Sequence, residues 1–129
     1  MANTDNIVSF VAASAITEFA IVSMDANGKI AVTAAGTDDA VVGVAQRACS
    51  AGDSVEVLIH GVTRVIASES ITFNSTPILA AAADGKVQPC EGTDTTFYPI
   101  ARVLPNINQT SAAAGSQLKV LFVGPTSLV

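Results

Sequence analysis

The sequence predicts a single all-β domain, a β-barrel or β-sandwich built from two similar halves. Apolar residues make up 50% of the 129 residues, and they are mainly Ala, Val and Ile, which suit strands that pack face to face. Turn residues separate these apolar segments at intervals of about 8 to 12 residues, a spacing typical of sandwiches and barrels. The second half of the chain also repeats motifs of the first.

Two long segments align without a gap and indicate an internal duplication. Residues 51–62 and 114–125 share an Ala-Gly start, the apolar positions and a second Gly. Shorter matches keep the same order along the chain: 16–17 with 71–72, 27–30 with 84–87, 36–38 with 92–94, and 44–47 with 100–103. A duplication predicts two similar β-units, related by a pseudo-twofold axis, that share one core.

Each half is predicted to contain the same succession of strands. Asn27-Gly28 suits the positive φ angles of a hairpin turn, and the alternation that begins at Val55 is typical of a half-buried strand. The alanine tracts at 80–83 and 112–114 are short enough for a single helical turn. The predicted strands cover residues 15–22, 29–33, 40–47 and 55–60, with counterparts at 70–79, 86–89 and 118–123 and a linking strand at 62–67.

The first 14 residues are predicted to form an N-terminal arm before a β domain at 15–129, whose halves cover about 15–67 and 68–129. A polar start is followed by an apolar segment, and an exposed arm of this kind can add a strand to a neighbour's sheet edge. The C-terminus can act likewise, and a frayed tail is the alternative for both ends. The predicted protein-interface residues are Asn3, Asp5, Ile7, Val8, Phe10, Leu128 and Val129.

The low content of charged residues indicates a protein whose surface is buried in contacts with other proteins. Only 13% of the residues are charged, the net charge is −5 and the mean hydropathy is +0.51, so little of the exterior is protected by charge. The six Lys and Arg residues are scattered along the sequence, which argues against nucleic-acid binding. No apolar run is long enough for a membrane span. The start of the chain lacks the positive charge of a signal peptide, so synthesis in the cytoplasm is expected.

The chain offers little material for an active site. His60 is the single histidine, and Cys49 has no neighbouring base in the sequence. Cys49 and Cys90 can be buried thiols or a disulfide pair, and the sequence leaves both open. We therefore predict a protein that is not an enzyme and has no catalytic residues.

Two kinds of loop carry carboxylates that resemble parts of a cation site. Residues 25–28 open like a calcium loop, but Gly36 stands where the bidentate Glu belongs, so a turn is predicted instead. Asp38, Asp39 and Asp94 can hold a cation weakly, and solvated turn residues are the simpler interpretation. No metal-binding or cofactor-binding residue is predicted, and no cofactor.

Part of the chain resembles the small capsid cement, or head decoration, proteins of tailed bacteriophages. The resemblance is carried by Val42-Gly43-Val44-Ala45-Gln46-Arg47-Ala48, Ala51-Gly52-Asp53-Ser54-Val55-Glu56-Val57 and Gly61-Val62. It implies a β-rich protein on the capsid exterior that binds the major capsid protein and stabilises contacts between its copies. It also implies a homo-oligomer, with a trimer favoured and a dimer possible, and no catalytic residue.

Two other functions stay open. A host-surface or carbohydrate-binding virion module needs exposed aromatic side chains, and Phe97 with Tyr98 is the one adjacent pair. A tail or baseplate structural subunit is the second alternative. Neither would make the protein an enzyme.

Overall fold

The computed structural model describes residues 6–36, 40–90, 98–104 and 109–124. In these ranges the first half forms one five-stranded antiparallel sheet in the order β1-β5-β4-β2-β3. Short β-branched segments and turn residues produce this succession, as the sequence predicts. The strands are β1 Ile7–Val11, β2 Ile21–Met24, β3 Ile30–Val32, β4 Val41–Ala45 and β5 Ser54–Leu58.

The second half forms a second five-stranded sheet, in the order β6-β12-β10-β8-β9, and a two-stranded ribbon of β7 and β11. The predicted all-β fold is confirmed, and its form is a sandwich-like pair of sheets. The alanine tract at 80–83 ends β8 and enters a 3-10 turn at Ala83–Gly85. The strands are β6 Gly61–Ile66, β7 Ile71–Thr72, β8 Ile78–Ala81, β9 Val87–Pro89, β10 Pro99–Val103, β11 Ser111–Ala112 and β12 Gln117–Phe122.

The two sheets have the same strand order, which confirms the duplicated halves. The correspondence extends to single hydrogen bonds, because Gly52 donates to the Ala12 carbonyl and Gly115 to the Ala67 carbonyl, both at 2.8 Å. The two glycines have φ angles of +88° and +86°. This left-handed backbone favours glycine, which explains why the Ala-Gly motif occurs at both turns.

The register corrects one of the sequence matches. Val44 lies opposite Leu58 in the first sheet, whereas Arg102 lies opposite Leu121 in the second. Leu58 and Leu121 are counterparts, so Val44 corresponds to Arg102 and not to Ile100, as the match of 44–47 with 100–103 implied. A bulge interrupts the pairing of β2 with β4 and of β8 with β10 alike.

The segment predicted as an arm enters the first sheet of its own chain. Ile7–Val11 pairs antiparallel with β5, as Gly61–Ile66 pairs with β12. The strand that was predicted to link the halves is therefore the first strand of the second half, and the first sheet ends at Leu58. Sequence matching overlooked this counterpart because β1 and β6 share only their apolar character.

The buried side chains form two clusters, of which one lies between the two sheets. The shared core combines first-sheet residues such as Ile21 and Leu58 with second-sheet residues such as Leu79 and Phe122. The first-half core lies on the opposite face of the first sheet, where the segment at 12–20 covers Val22, Ala45, Val55 and Val57. The central strands of the first sheet, β5, β4 and β2, are therefore largely buried on both faces, whereas the edge strand β1 is exposed.

The sheets contribute non-equivalent faces to the shared core. Val44 is buried there, but its counterpart Arg102 is exposed on the other side of the second sheet. A pseudo-twofold axis brings equivalent faces together, so the expected axis between the halves is wrong. Instead, the face of the first sheet that carries Val44 packs against the second half, and no described segment covers the face of the second sheet that carries Arg102.

Candidate protein-interaction surfaces

Strand β1 forms one edge of the first sheet and carries exposed apolar side chains. Ile7, Val8 and Val11 are 45%, 38% and 40% exposed, and the strand contains no charged residue. Sheet edges are usually protected by charges, proline or a covering element, because their unpaired backbone groups can pair with another chain. An uncharged apolar edge strand is a surface suited to protein contact.

The structure places three of the predicted interface residues on this strand. Ile7 and Val8 are exposed, whereas Phe10 is half-buried against the first-half core. The strand pairs with β5 along one edge, and the Asn6 carbonyl accepts a bond from the Ile59 amide at 2.8 Å. The remaining predicted residues lie outside the described ranges: Asn3, Asp5, Leu128 and Val129.

A second surface is the uncovered face of the second sheet, which we call the outer face. Side chains alternate along a strand, so Val62 and Arg64 point away from the buried Thr63 and Val65. Val62 is 55% exposed. The outer face consists of Val62, Arg64, Ile78, Arg102, Lys119 and Leu121, which are exposed or half-buried.

The outer face gathers half of the positive side chains of the protein. Arg64 lies directly opposite Lys119, and Arg102 lies opposite Leu121, two residues further along β12. The five strands of this sheet contain no Asp or Glu. Sequence inspection missed this cluster because the three cations are far apart in the chain, and only the strand order β6-β12-β10 brings them together.

The corresponding positions of the first sheet have a different chemistry. By register, Ser9 and Glu56 stand where the second sheet has Arg64 and Lys119. Glu56 accepts a 2.7 Å bond from Nε of Arg47, and Arg47 also donates to the Ser54 carbonyl. This hydrogen bond and the positive charge of Arg47 lower the pKa of the Glu56 carboxyl, and the same pairing raises the pKa of Arg47.

An open groove of about 760 Å³ lies beside the outer face. It runs between the β7–β11 ribbon and the end of β10, and its lining is mostly neutral. Phe73 is half-buried there, so the groove lacks a fully exposed aromatic platform in the described part of the chain. Its lining includes Thr72, Phe73, Asn74, Pro77, Arg102 and Gln109.

The other residues that sequence analysis considered have ordinary structural positions. His60 is exposed in the turn between β5 and β6, and Cys49 and Cys90, which are half-buried and buried, are not joined by a disulfide. Asp25 Oδ1 accepts bonds from the amides of Asn27 and Lys29, at 2.8 and 2.9 Å. This pattern is that of a side-chain-stabilised turn.

No metal-binding group is formed within the described ranges, since no three His, Cys, Asp or Glu side chains come together there. Asp38, Asp39, Asp94 and Phe97 lie outside those ranges. Tyr98 is half-buried, and its amide bonds to the Gly36 carbonyl.

None of the helical segments in the described ranges has the length and apolar character that crossing a membrane requires.

Comparison with known proteins gives a structural match without a sequence family. No protein-family model matches the chain, and neither does any curated protein. Among solved structures, the N base of the head fibre protein gp8.5 in bacteriophage phi29 superposes with a TM-score of 0.68 at 19% identity. The match covers 94% of this chain and 98% of that one. The chain therefore has the fold of a phage head-fibre base.

Proposed function

We propose that this protein is a structural subunit of a phage virion that attaches to the outside of the head. The observation that carries the proposal is the fold match to a head-fibre base, which extends over 94% of the chain. The cement-like motifs of the first half, chiefly Val42 to Val57, support the same assignment independently of that match. The low charge content supports it too, because a subunit embedded among protein neighbours needs few surface charges.

Within this assignment two finer roles are compatible with the surfaces. A cement subunit bridges neighbouring copies of the major capsid protein, whereas a fibre base anchors a longer appendage. Both roles require contact with the capsid shell and are well served by a homo-oligomer, with a trimer proposed ahead of a dimer, because several weak contacts then act together. The exposed apolar strand β1 and the outer face are the surfaces available for such contacts.

The test is co-sedimentation of the purified protein with assembled phage heads that lack it. We expect the protein to pellet with heads at a saturating ratio set by capsid symmetry, and to remain in the supernatant without them. Purified tails serve as the matched control, because the tail or baseplate alternative predicts binding there. Absence of binding to heads, or binding to tails alone, would contradict the proposal.

The carbohydrate-binding alternative has a weaker structural basis. Sugar sites usually stack their ligand on an exposed aromatic ring, and Phe73 and Tyr98 are both half-buried. The groove beside β10, whose lining includes Arg102 among mostly neutral residues, is the place where such a ligand would have to bind. A glycan array probed with the purified protein distinguishes this function from head attachment.

A further inference from the structure

We infer that the outer face of the second sheet binds a protein surface rich in carboxylates. The inference deepens the proposed function, on which it rests for the identity of the partner: an acidic patch of the head shell. Three of the six Lys and Arg residues lie on this face, in a chain whose net charge is −5. The outer face is therefore positively charged although the protein as a whole is negatively charged, and a positive face favours an anionic partner.

The cations are arranged so that they repel one another in the free protein. Arg64 and Lys119 are direct cross-strand partners, and side chains in that relation have their Cβ atoms about 5 Å apart. Arg102 is the diagonal neighbour of Lys119 across the next strand pair. Like charges placed opposite each other destabilise a sheet. An incoming carboxylate would relieve this repulsion, so the free face is prepared for an anionic partner.

No ion pair within the described part of the chain relieves the repulsion. The one salt bridge found there joins Arg47 to Glu56 on the first sheet. The strands of the second sheet supply no carboxylate of their own. The two halves therefore differ: Arg47 of the first half pairs with Glu56 of β5, whereas Arg64, Arg102 and Lys119 of the second sheet have no carboxylate partner among the described residues.

The apolar part of the outer face favours a protein partner. Val62, Leu121 and Ile78 lie in one row with Arg102 across neighbouring strands. The corresponding row of the first sheet contains Leu58, Val44 and Ile21, all buried in the shared core. The same face of the repeat is thus covered in one half and open in the other, and a row of apolar side chains among cations suits the mixed character of protein interfaces.

Nucleic acid fits this face less well. Proteins that bind duplex DNA electrostatically commonly neutralise about 6 to 10 phosphates, and the outer face offers three cations. Its strands carry no aromatic side chain on that side for base stacking, since Phe122 is buried. A second copy docked through the same face also fits less well, because the cations of the two copies would then face each other; the proposed homo-oligomer would use other surfaces, such as β1.

The test exchanges residues between equivalent positions of the two halves. The variant Arg64→Ser/Lys119→Glu introduces the residue types that the first sheet has at Ser9 and Glu56, so the strand environment tolerates them. The control Lys29→Glu/Lys86→Ser changes the net charge equally, at turn positions away from the outer face. Circular dichroism checks that both variants fold, and Arg64→Gln/Lys119→Gln replaces the first variant if it does not.

Binding is measured with three probes at low and high salt: fluorescent poly-glutamate, a duplex DNA of random sequence, and assembled heads. We expect the wild type and the control to bind poly-glutamate with similar affinity. The outer-face variant should bind poly-glutamate at least tenfold more weakly than the wild type does. It should also bind heads more weakly than the wild type and the control do. High salt should weaken all of these interactions.

Equal binding of poly-glutamate by the two variants would overturn the inference. Preferential binding of DNA would also overturn it. In that case duplex DNA would displace poly-glutamate from the wild type at a lower concentration than unlabelled poly-glutamate does, and the outer-face variant would bind DNA more weakly than the control does. A change confined to oligomer size in sedimentation velocity would assign the face to a second copy instead. If heads bind no version of the protein while poly-glutamate behaves as expected, the proposed function fails and the carboxylate-binding face stands.

Discussion

Gln46 of the first half donates a hydrogen bond from Nε2 to Oγ1 of Thr63 in the second half, at 3.2 Å. Gln46 follows β4 on the side of Val44, and Thr63 is buried on the inner face of β6. The bond therefore connects the face of the first sheet that carries Val44 to the inner face of the second sheet, which carries Thr63. Nε2 of Gln46 also donates to the Val44 carbonyl at 3.0 Å. This second bond orients the side-chain amide toward Thr63.

Removing this link should weaken the junction between the halves. We expect Thr63→Val to lower the free energy of unfolding by about 0.5–1.5 kcal/mol, the usual net contribution of a hydrogen bond. Urea denaturation measures the change. In a double-mutant cycle with Gln46→Ala, the two effects should be non-additive, because both substitutions remove the same bond. Full additivity would show that the bond does not couple the halves.

The repulsion between Arg64 and Lys119 predicts a substitution that stabilises the protein. Lys119→Glu places opposite charges across β6 and β12 and should raise the free energy of unfolding by about 0.2–1 kcal/mol at low salt. The gain should shrink as salt is added, because the pair is exposed. The matched control is Lys86→Glu, which should give no comparable gain. A loss of stability from Lys119→Glu would mean that the cations are not repelling each other.

Much of the fold follows from local pattern. Strand β5 alternates between polar and apolar residues, and the Ala-Gly turns repeat because both need a left-handed glycine. The match of 44–47 with 100–103 is wrong by two residues because it aligns Val44 with another apolar residue, Ile100, whereas the true counterpart of Val44 is the charged Arg102. Only the pairing of Arg102 with Leu121 fixes it, and such long-range pairing leaves no local signal.

The candidate surfaces were predictable to different degrees. The sequence predicts Ile7 and Val8 as interface residues because they follow a polar start. Their pairing with β5 was not predictable, because β5 lies far along the chain. The cluster of Arg64, Arg102 and Lys119 had no sequence signal, because strand order alone brings them together. Which face of each repeat stays open is likewise a property of how the halves stack.

Close packing at Gly43 gives a prediction about stability. A Cβ there would meet the Leu58 carbonyl and lie 2.7 Å from Cγ1 of Val57. Gly43→Ala should therefore destabilise the protein by about 1–3 kcal/mol, as overpacking does. The register counterpart is Ala101, where the second sheet accommodates a methyl group. Ala101→Gly serves as the control: it removes a buried methyl group without creating a clash and should cost about 1–2 kcal/mol, measured by thermal or urea unfolding.

The Arg47–Glu56 pair predicts a pH dependence. The pKa of Glu56 is lowered from its ordinary value of 4.5 in the folded protein, first by the hydrogen bond from Arg47. A lowered carboxyl pKa stabilises the fold above the unfolded pKa, and this stabilisation is lost as the pH falls through the folded pKa. NMR titration should therefore show the Glu56 midpoint rising in Arg47→Gln.

The same variant tests the consequence for stability. The difference in unfolding free energy between the wild type and Arg47→Gln should narrow as the pH falls below about 4. It should be unchanged between pH 6 and 8, where the carboxyl is ionised in both states. Because both side chains are exposed to solvent, salt should reduce the difference at neutral pH. A midpoint that does not move in Arg47→Gln would show that the pair is not formed in solution.

The exposed edge of the first sheet predicts a loss of assembly from a single charge. Val8→Lys places an ammonium on strand β1, and a charge on an edge strand opposes pairing with another chain. We expect weaker binding to heads and a smaller oligomer in sedimentation velocity, with stability changed by less than about 1 kcal/mol. Met24→Lys is the matched control, since Met24 is an apolar residue of the same sheet that is 55% exposed. If both variants bind heads as well as the wild type, the β1 edge is not a contact surface, and attachment then depends on the outer face of the second sheet.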